Sequence, residues 1–260
     1  MNSVTSWRQF EKQVRCKSPC LLCDLDRYHD AILVAGCQRS GTTILSRIIT
    51  QSDGADGYQY TNDDELDAAL ILSGQINHDP EDNKRYCFQT TYLNDSFPEY
   101  FDHDDFRLVW VLRNPYSVIY SMIHNWKRGA LNRLFNRCGA RFLEGKEKDR
   151  YGLFGSCAVS RIRKACLSYN GKVSQTNELF DKLGSGRMLV VEYDEVIKHK
   201  SRLLPEIYEF LGMQYKNEYE DKLHSRSINK SDRFSGSHKE MIQQACWDLY
   251  CDMRDKYCSL

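Results

Sequence analysis

Eight consecutive residues, Gly36-Cys37-Gln38-Arg39-Ser40-Gly41-Thr42-Thr43, have the types and spacing of an anion cradle. Two glycines let the backbone turn tightly and come close to a ligand. Successive N–H groups between them can converge on one oxyanion, and a helix opening at Thr42 adds its partial positive charge. Thr42 and Thr43 offer hydroxyl donors, and Arg39 offers a fixed cation. The spacing matches the nucleotide-binding pattern G-x-x-x-x-G-K-[ST], with Thr42 in place of the lysine and the positive charge moved upstream to Arg39. Phosphoryl-transfer enzymes with this loop place its lysine on the β- and γ-phosphates and hold Mg²⁺ through an acid after a hydrophobic strand. Here the apolar run 109–112 ends in Arg113, not in an acid.

Arg113 opens a second element. Arg113-Asn114-Pro115 follows a strand, and Ser121 stands eight residues after Arg113 on the helix that Pro115 begins. An arginine at a strand end and a serine two turns into a helix can share one phosphate, the first as a planar fork and the second as a hydroxyl donor. Taken alone, an arginine before proline is an ordinary loop residue, so the element gains meaning only beside the first.

The elements that must hold these residues follow from hydrophobic pattern. Ala31–Gly36 is a continuous apolar run ending in glycine, the signature of a buried parallel strand, and Thr42–Thr50 reads as the helix after it. Further helices are predicted over 64–75 (with Asp64 as cap), 115–127, 157–183 and 203–211, and further strands over 107–112 and 188–191. The last twenty residues, with Met241, Trp247, Tyr250 and Met253, form an amphipathic closing helix. Strands separated by helices imply a three-layer αβα fold around a central parallel sheet, with a P-loop-like site. Residues 1–30 read as an N-terminal extension and 31–260 as a single domain.

The chain has 260 residues, 41% hydrophobic and 28% charged with only 5 prolines, which places it among globular proteins. Lys plus Arg and Asp plus Glu both number 36, so no net charge draws it to nucleic acid or to an anionic membrane. No apolar stretch approaches the ~20 residues that span a bilayer, and the N-terminus lacks a secretory core, so the expected compartment is the cytoplasm. Eleven irregularly spaced cysteines do not form a disulfide framework. Cys16, Cys20 and Cys23 have the C-x3-C-x2-C spacing of an iron–sulfur cluster motif, but they precede the first strand in a polar stretch and read as free thiols, with a structural zinc site completed by a fourth ligand elsewhere as the alternative.

The two anion elements together resemble the signature of sulfotransferases that use 3'-phosphoadenosine-5'-phosphosulfate (PAPS). In that family a strand–loop–helix motif holds the 5'-phosphosulfate and an R-x-P…S element holds the 3'-phosphate. GCQRSGTT is similar to the first, and VLRNPYSVIYS is similar to the second, with Arg113 and Ser121 in register. Residues 187–212 resemble the family's strand, Tyr-acidic turn and helix ending in Phe-Leu-Gly, with Tyr193 at a position that contacts the nucleotide in some relatives. The resemblance spans about residues 31–235 and is strongest toward the bacterial and tyrosylprotein-type branches. It implies transfer of a sulfuryl group from PAPS to an acceptor hydroxyl or amine, in line and without a metal. The nucleotide would be held by Gly36, Arg39, Ser40, Gly41, Thr42, Thr43, Arg113, Ser121 and Tyr193, with Arg39 assisting the leaving oxygen. The acceptor is unidentified, a small molecule or glycan being favoured.

The resemblance also implies a general base shortly after the first motif's helix. Gln59 or Tyr60 stands in the closest register, so Glu65 is the first candidate, with Asp63 and Asp64 as alternatives. A helix-capping Asp64 and a dipole-favoured Glu65 would account for the same residues without catalysis. His124 is a further candidate, although a helical histidine beside Trp126 is an ordinary packing residue. Many relatives carry a lysine after the next strand. Cys87-Phe88-Gln89-Thr90-Thr91 has none there, and Lys84 and Arg85 precede it. The polar loop 225–237 resembles one that covers the nucleotide, with Arg226, Lys230 and Arg233 as contacts. The rival readings are a P-loop small-molecule kinase and a non-catalytic nucleotide-binding module.

Overall fold

Four short runs of aliphatic and aromatic residues form the strands of a computed structural model: β1 (Ala31–Gly36), β2 (Cys87–Gln89), β3 (Phe106–Leu112) and β4 (Met188–Glu192). The structure describes residues 4–18, 20–58, 63–81, 83–223 and 230–258, without the side chains of 94–97. The strands make one parallel sheet in the order β2-β1-β3-β4, with β1 paired to β3 from Ala31↔Phe106 to Gly36↔Val111. Alternation along the strands divides the core. Leu33, Ala35, Phe88, Leu108, Trp110 and Leu112 enter the larger cluster, while Ile32, Val34, Cys87, Val109 and Val111 enter the smaller one.

Helices cover both faces, as the alternation of strands and helices predicts. The chain forms α1 (Trp7–Phe10), α2 (Thr42–Thr50), α3 (Asp64–Leu72), α4 (Pro115–His124), α5 (Arg128–Leu134) and α6 (Gly145–Phe154). It continues through α7 (Arg161–Val173), α8 (Gln175–Leu183), α9 (Tyr193–Lys198), α10 (Lys200–Leu211), α11 (Gly236–Ile242) and α12 (Asp248–Tyr257). Leu45, Ile48 and Ile49 of α2, with Leu203, Leu204 and Ile207 of α10, close the smaller cluster. Apolar residues of α3, α4, α7, α8 and α12 fill the larger one, and Phe10, Val14, Leu21, Leu22, Leu25 and Tyr28 of the N-terminal stretch are buried within it.

Several boundaries depart from the sequence expectation. The cap of α3 is Asp63, whose carboxylate accepts from Leu66 N–H, and the helix ends at Leu72. The helix expected over 157–183 is two helices. Thr176 Oγ1 donates to the Val173 carbonyl and Gln175 Nε2 to that of Gly171, so side chains take up acceptors at the end of α7 and the ladder breaks at Ser174. The helix begun by Pro115 stops at His124, and α9 fills what was read as a turn. Among the described residues, no helix is long and apolar enough to cross a membrane.

Gly36 is required where β1 meets β3. Its φ is +145°, and a Cβ there would overlap the Val111 carbonyl oxygen across the pair. Gly36→Ala is expected to destabilise the fold by about 3 kcal/mol, from backbone strain and overpacking together. A urea midpoint lowered at unchanged m-value is the expected reading; a midpoint equal to the parent's would overturn it.

Candidate active site

Strand order decides where the site lies. The chain leaves β1 for β2 on one side, then returns to place β3 on the other, so connections diverge between the C-terminal ends of β1 and β3. Such a switch point opens a crevice beyond the strand ends. All four strand ends send residues there: the loop 37–41 from β1, Thr91 and Tyr92 from β2, Arg113 from β3 and Tyr193 from β4. A cavity of about 430 Å³ is lined by Arg39, Gly41, Thr42, Thr43, Glu65, Arg113, Ser121 and Tyr193. Gly36 and Ser40 lie off its wall, as parts of the loop behind it, and so do the alternative bases Asp64 and His124.

Gly41 caps α2 at φ +102° with no side-chain hydrogen bond to the helix start. A Cβ on Gly41 would overlap the ring of Tyr193. Ser40 Oγ is buried and has no hydrogen-bond partner among the described residues. Arg39 has φ +76°, a conformation that costs a non-glycine residue of order 1–3 kcal/mol and clusters at functional sites. From it the guanidinium crosses the cavity, and Nε donates to Ser121 Oγ at 2.9 Å, joining residues 82 apart in the chain.

Arg113 is more embedded than its place in a loop suggests. Its side chain is 5% exposed and its Nε lies 3.1 Å from Asp194 Oδ1. The guanidinium sits 4.5 Å from the centre of the Tyr193 ring. One Nη donates to the Arg39 carbonyl at 3.4 Å, so the second anion element buttresses the first.

Glu65 is buried on the first turn of α3. Tyr92 N–H donates to its Oε1 at 2.6 Å, and Gln89 Nε2 donates to its Oε2 at 3.2 Å. The same Gln89 amide reaches Thr42 Oγ1 at 3.1 Å and Thr43 Oγ1 at 3.0 Å, tying the carboxyl to the start of α2. Burial pushes the Glu65 pKa up to about 8, with Asp63 adding repulsion and the Tyr92 N–H and Lys172 opposing it. The alternatives have other work. Asp63 caps α3 and accepts from Trp7 Nε1 at 2.9 Å, Asp64 pairs with Arg47 at 2.8 Å, and exposed His124 packs on the Tyr120 ring.

Sequence reasoning missed Gln89, Tyr92, Trp7 and Lys172. Trp7 stacks on Tyr92 with ring centres 4.4 Å apart, and Trp126 lies 6.1 Å from Tyr92, which gives the cavity an aromatic wall beside Glu65. Lys172, fully buried on α7, donates to the Thr91 carbonyl at 3.1 Å, bringing a cation beneath the stretch after β2 that lacks its own lysine. Only the absence of a neighbouring charge in sequence hid it. Lys84 pairs with Glu81 and Arg85 with Asp30, both away from the cavity. Lys230 lines the cavity, Arg233 lies over Tyr120, and Arg226, Gln59 and Tyr60 fall outside the described residues. All eleven cysteines are free, and no group of three His, Cys, Asp or Glu among the described residues is placed to hold a metal ion.

The profile of the sulfotransferase domain family matches residues 29–248. No curated protein matches the chain. The sulfotransferase domain from the curacin biosynthetic pathway superposes with a TM-score of 0.53 at 12% identity, covering 90% of this chain and 92% of that one. A sulfotransferase from Alicyclobacillus acidocaldarius gives 0.51 at 12% identity, covering 86% and 94%. Retinol dehydratase in complex with androsterone and the inactive cofactor PAP gives 0.52 at 15% identity, covering 91% and 85%. At these identities the structural likeness is one of fold.

Proposed function

The chain belongs to the sulfotransferase domain family, and we propose that it moves a sulfuryl group from PAPS to an acceptor hydroxyl or amine across this cavity. The observation that carries the reading is the Arg39–Ser121 hydrogen bond, because it joins the two anion elements in one cavity. The residues fit the donor nucleotide. The uncapped start of α2, the orphaned Ser40 hydroxyl and the missing Cβ of Gly41 make a cradle for the 5' end, while Arg113, Ser121 and Lys230 supply cations and a hydroxyl for the 3'-phosphate. When bound, PAPS supplies the sulfuryl group and a phosphate leaving group.

The residues of the chain divide the remaining work. Arg39 and the loop N–H groups would supply fixed donors to the oxygen on which negative charge grows, and donors of this kind stabilise a transition state without reorganising. Glu65 takes the acceptor's proton at Oε2, the oxygen held by the longer of its two hydrogen bonds. A carboxyl with its pKa near 8 matches a base working close to neutrality. Trp7, Tyr92 and Trp126 pack against the body of the acceptor, a small molecule or a glycan.

Metal-free operation is part of the proposal. The position after β3, where P-loop kinases place a metal-holding acid, is Arg113. Calorimetry with adenosine 3',5'-bisphosphate is expected to give the same affinity in EDTA as in Mg²⁺. Binding that vanishes in EDTA and returns with Mg²⁺ would sink the proposal.

A further inference from the structure

Beyond the cavity just described, a second pocket of about 340 Å³ is lined by Arg128, Leu131 and Asn132 of α5, Cys157 of the turn after α6, and Arg161 and Lys164 of α7. Among the described residues, three cations line it and no carboxylate does. Arg128 is exposed and makes no hydrogen bond or ion pair among the described residues. Arg161 donates one Nη to the Trp126 carbonyl at 2.8 Å, and its Nε is buried with no hydrogen-bond partner among the described residues. Among the described residues, Lys164 donates only to neutral groups, Asn132 Oδ1 at 2.7 Å and the Ser156 carbonyl at 3.2 Å. Its pKa is lowered by burial, with the charges of Arg128 and Arg161 adding to the effect. Arg163, one residue before Lys164, shows the ordinary alternative by pairing with Glu147 at 3.1 Å.

Three like charges gathered in a pocket with no counter-charge among the described residues repel one another and cost the fold energy. A buried donor with nothing to bond adds a further cost. Both are relieved by one ligand chemistry, an oxyanion, which arginine forks and an ammonium together recognise. Position says what carries it. Trp126 links the two cavities, its side chain lining the first and its carbonyl accepting from Arg161 in the second. We propose that this pocket binds an oxyanion group of the acceptor, a carboxylate, phosphate or sulfate remote from the reacting hydroxyl or amine. The second half of that statement rests on the sulfotransferase reading; the first does not.

Cys157 is an exposed thiol on the pocket wall, so it reports the pocket's charge directly. The full chain, with adenosine 3',5'-bisphosphate present to block the phosphate loop, is alkylated with iodoacetate or with neutral iodoacetamide. Peptide mass spectrometry reads Cys157 against exposed Cys16 and Cys23. The iodoacetate-to-iodoacetamide rate ratio at Cys157 is expected to exceed that at the other two by ~10-fold or more, since a one-signed cleft concentrates counter-ions. Inorganic sulfate should protect Cys157, and Arg128→Gln should abolish both effects without touching the fold. Equal ratios at all three thiols, with no protection, overturn the site, whether or not the chain binds nucleotide. The second arm compares hydroxyl acceptors differing only in a terminal carboxylate or carboxamide. The carboxylate is expected to lead by about 10–100-fold in kcat/KM, the worth of one charged hydrogen-bonding contact, and Arg128→Gln should erase the lead. Protection of Cys157 by sulfate without any preference between acceptors would overturn the assignment to the acceptor and leave a site for free oxyanions.

Discussion

Glu65→Gln is expected to lower turnover by about 10²–10⁴ while leaving the affinity for adenosine 3',5'-bisphosphate unchanged. The carboxyl bonds to Tyr92 N–H and Gln89, on the side of the cavity that carries the aromatic wall, so its loss removes a base and no proposed nucleotide contact. The fold should tolerate the change. A glutamine oxygen accepts from Tyr92 N–H as the carboxylate does, and Gln89 can turn its amide to face the new NH₂ group. The pH dependence adds a second reading. With its pKa pushed up to about 8, Glu65 is protonated at neutral pH, so parent turnover should rise with pH through about 8 and level above it. The glutamine variant should lack that rising limb. Stability moves the opposite way. A folded pKa above the unfolded value means that the folded state holds a proton the unfolded state has lost, so this carboxyl's contribution is full below about pH 4.5 and is lost as pH rises through about 8. Glu65→Gln should therefore gain stability relative to the parent above pH 8. Asp63→Asn, Asp64→Asn and His124→Asn are the controls. If Glu65→Gln keeps near-normal turnover while one of these abolishes it, the base lies there.

Arg113→Ala is expected to destabilise the protein by about 3–5 kcal/mol, the cost of leaving one member of a buried ion pair alone. Side-chain exposures of 5% and 9% put Arg113 and Asp194 in that class. Burial already raises the Asp194 pKa, and Arg113 is the main group holding it down. Adding Asp194→Ala to Arg113→Ala should recover most of the loss, a coupling that a double-mutant cycle measures by urea unfolding. Additive losses would show that the pair is not a unit. The nucleotide role needs a gentler change. Arg113→Lys keeps the charge but loses the planar fork, so discrimination between adenosine 3',5'-bisphosphate and 5'-AMP should shrink by about 10–100-fold. Equal weakening for both ligands would confine Arg113 to a structural part.

Local pattern was enough for the architecture and for the loop. An apolar run ending in glycine, followed by hydroxyls and a helical period, can form little else than a buried strand, a tight turn and a helix, and β1, the 37–41 loop and α2 are those elements. The eight-residue step from Arg113 to Ser121 spans a strand end and two helical turns, so it too is a local signal. Boundaries were less legible where side chains compete with the backbone, as at Asp63 before α3 and at Gln175 and Thr176 between α7 and α8.

What tertiary structure decided is everything that depends on charges and polar groups from distant parts of the chain. Glu65 in the sequence is one acid among three. Its raised pKa comes from burial against Tyr92 and Gln89, 27 and 24 residues away, which only the pairing of β2 with β1 brings near. Lys172 meets the Thr91 carbonyl across 81 residues. The cations of the second pocket look like ordinary surface residues until α5 and α7 set them side by side. Backbone hydrogen bonding and hydrophobic period act between near neighbours, so they can be read along the chain. Desolvation and electrostatic coupling act through space, and their sign and size are fixed only when the sheet order has chosen the neighbours.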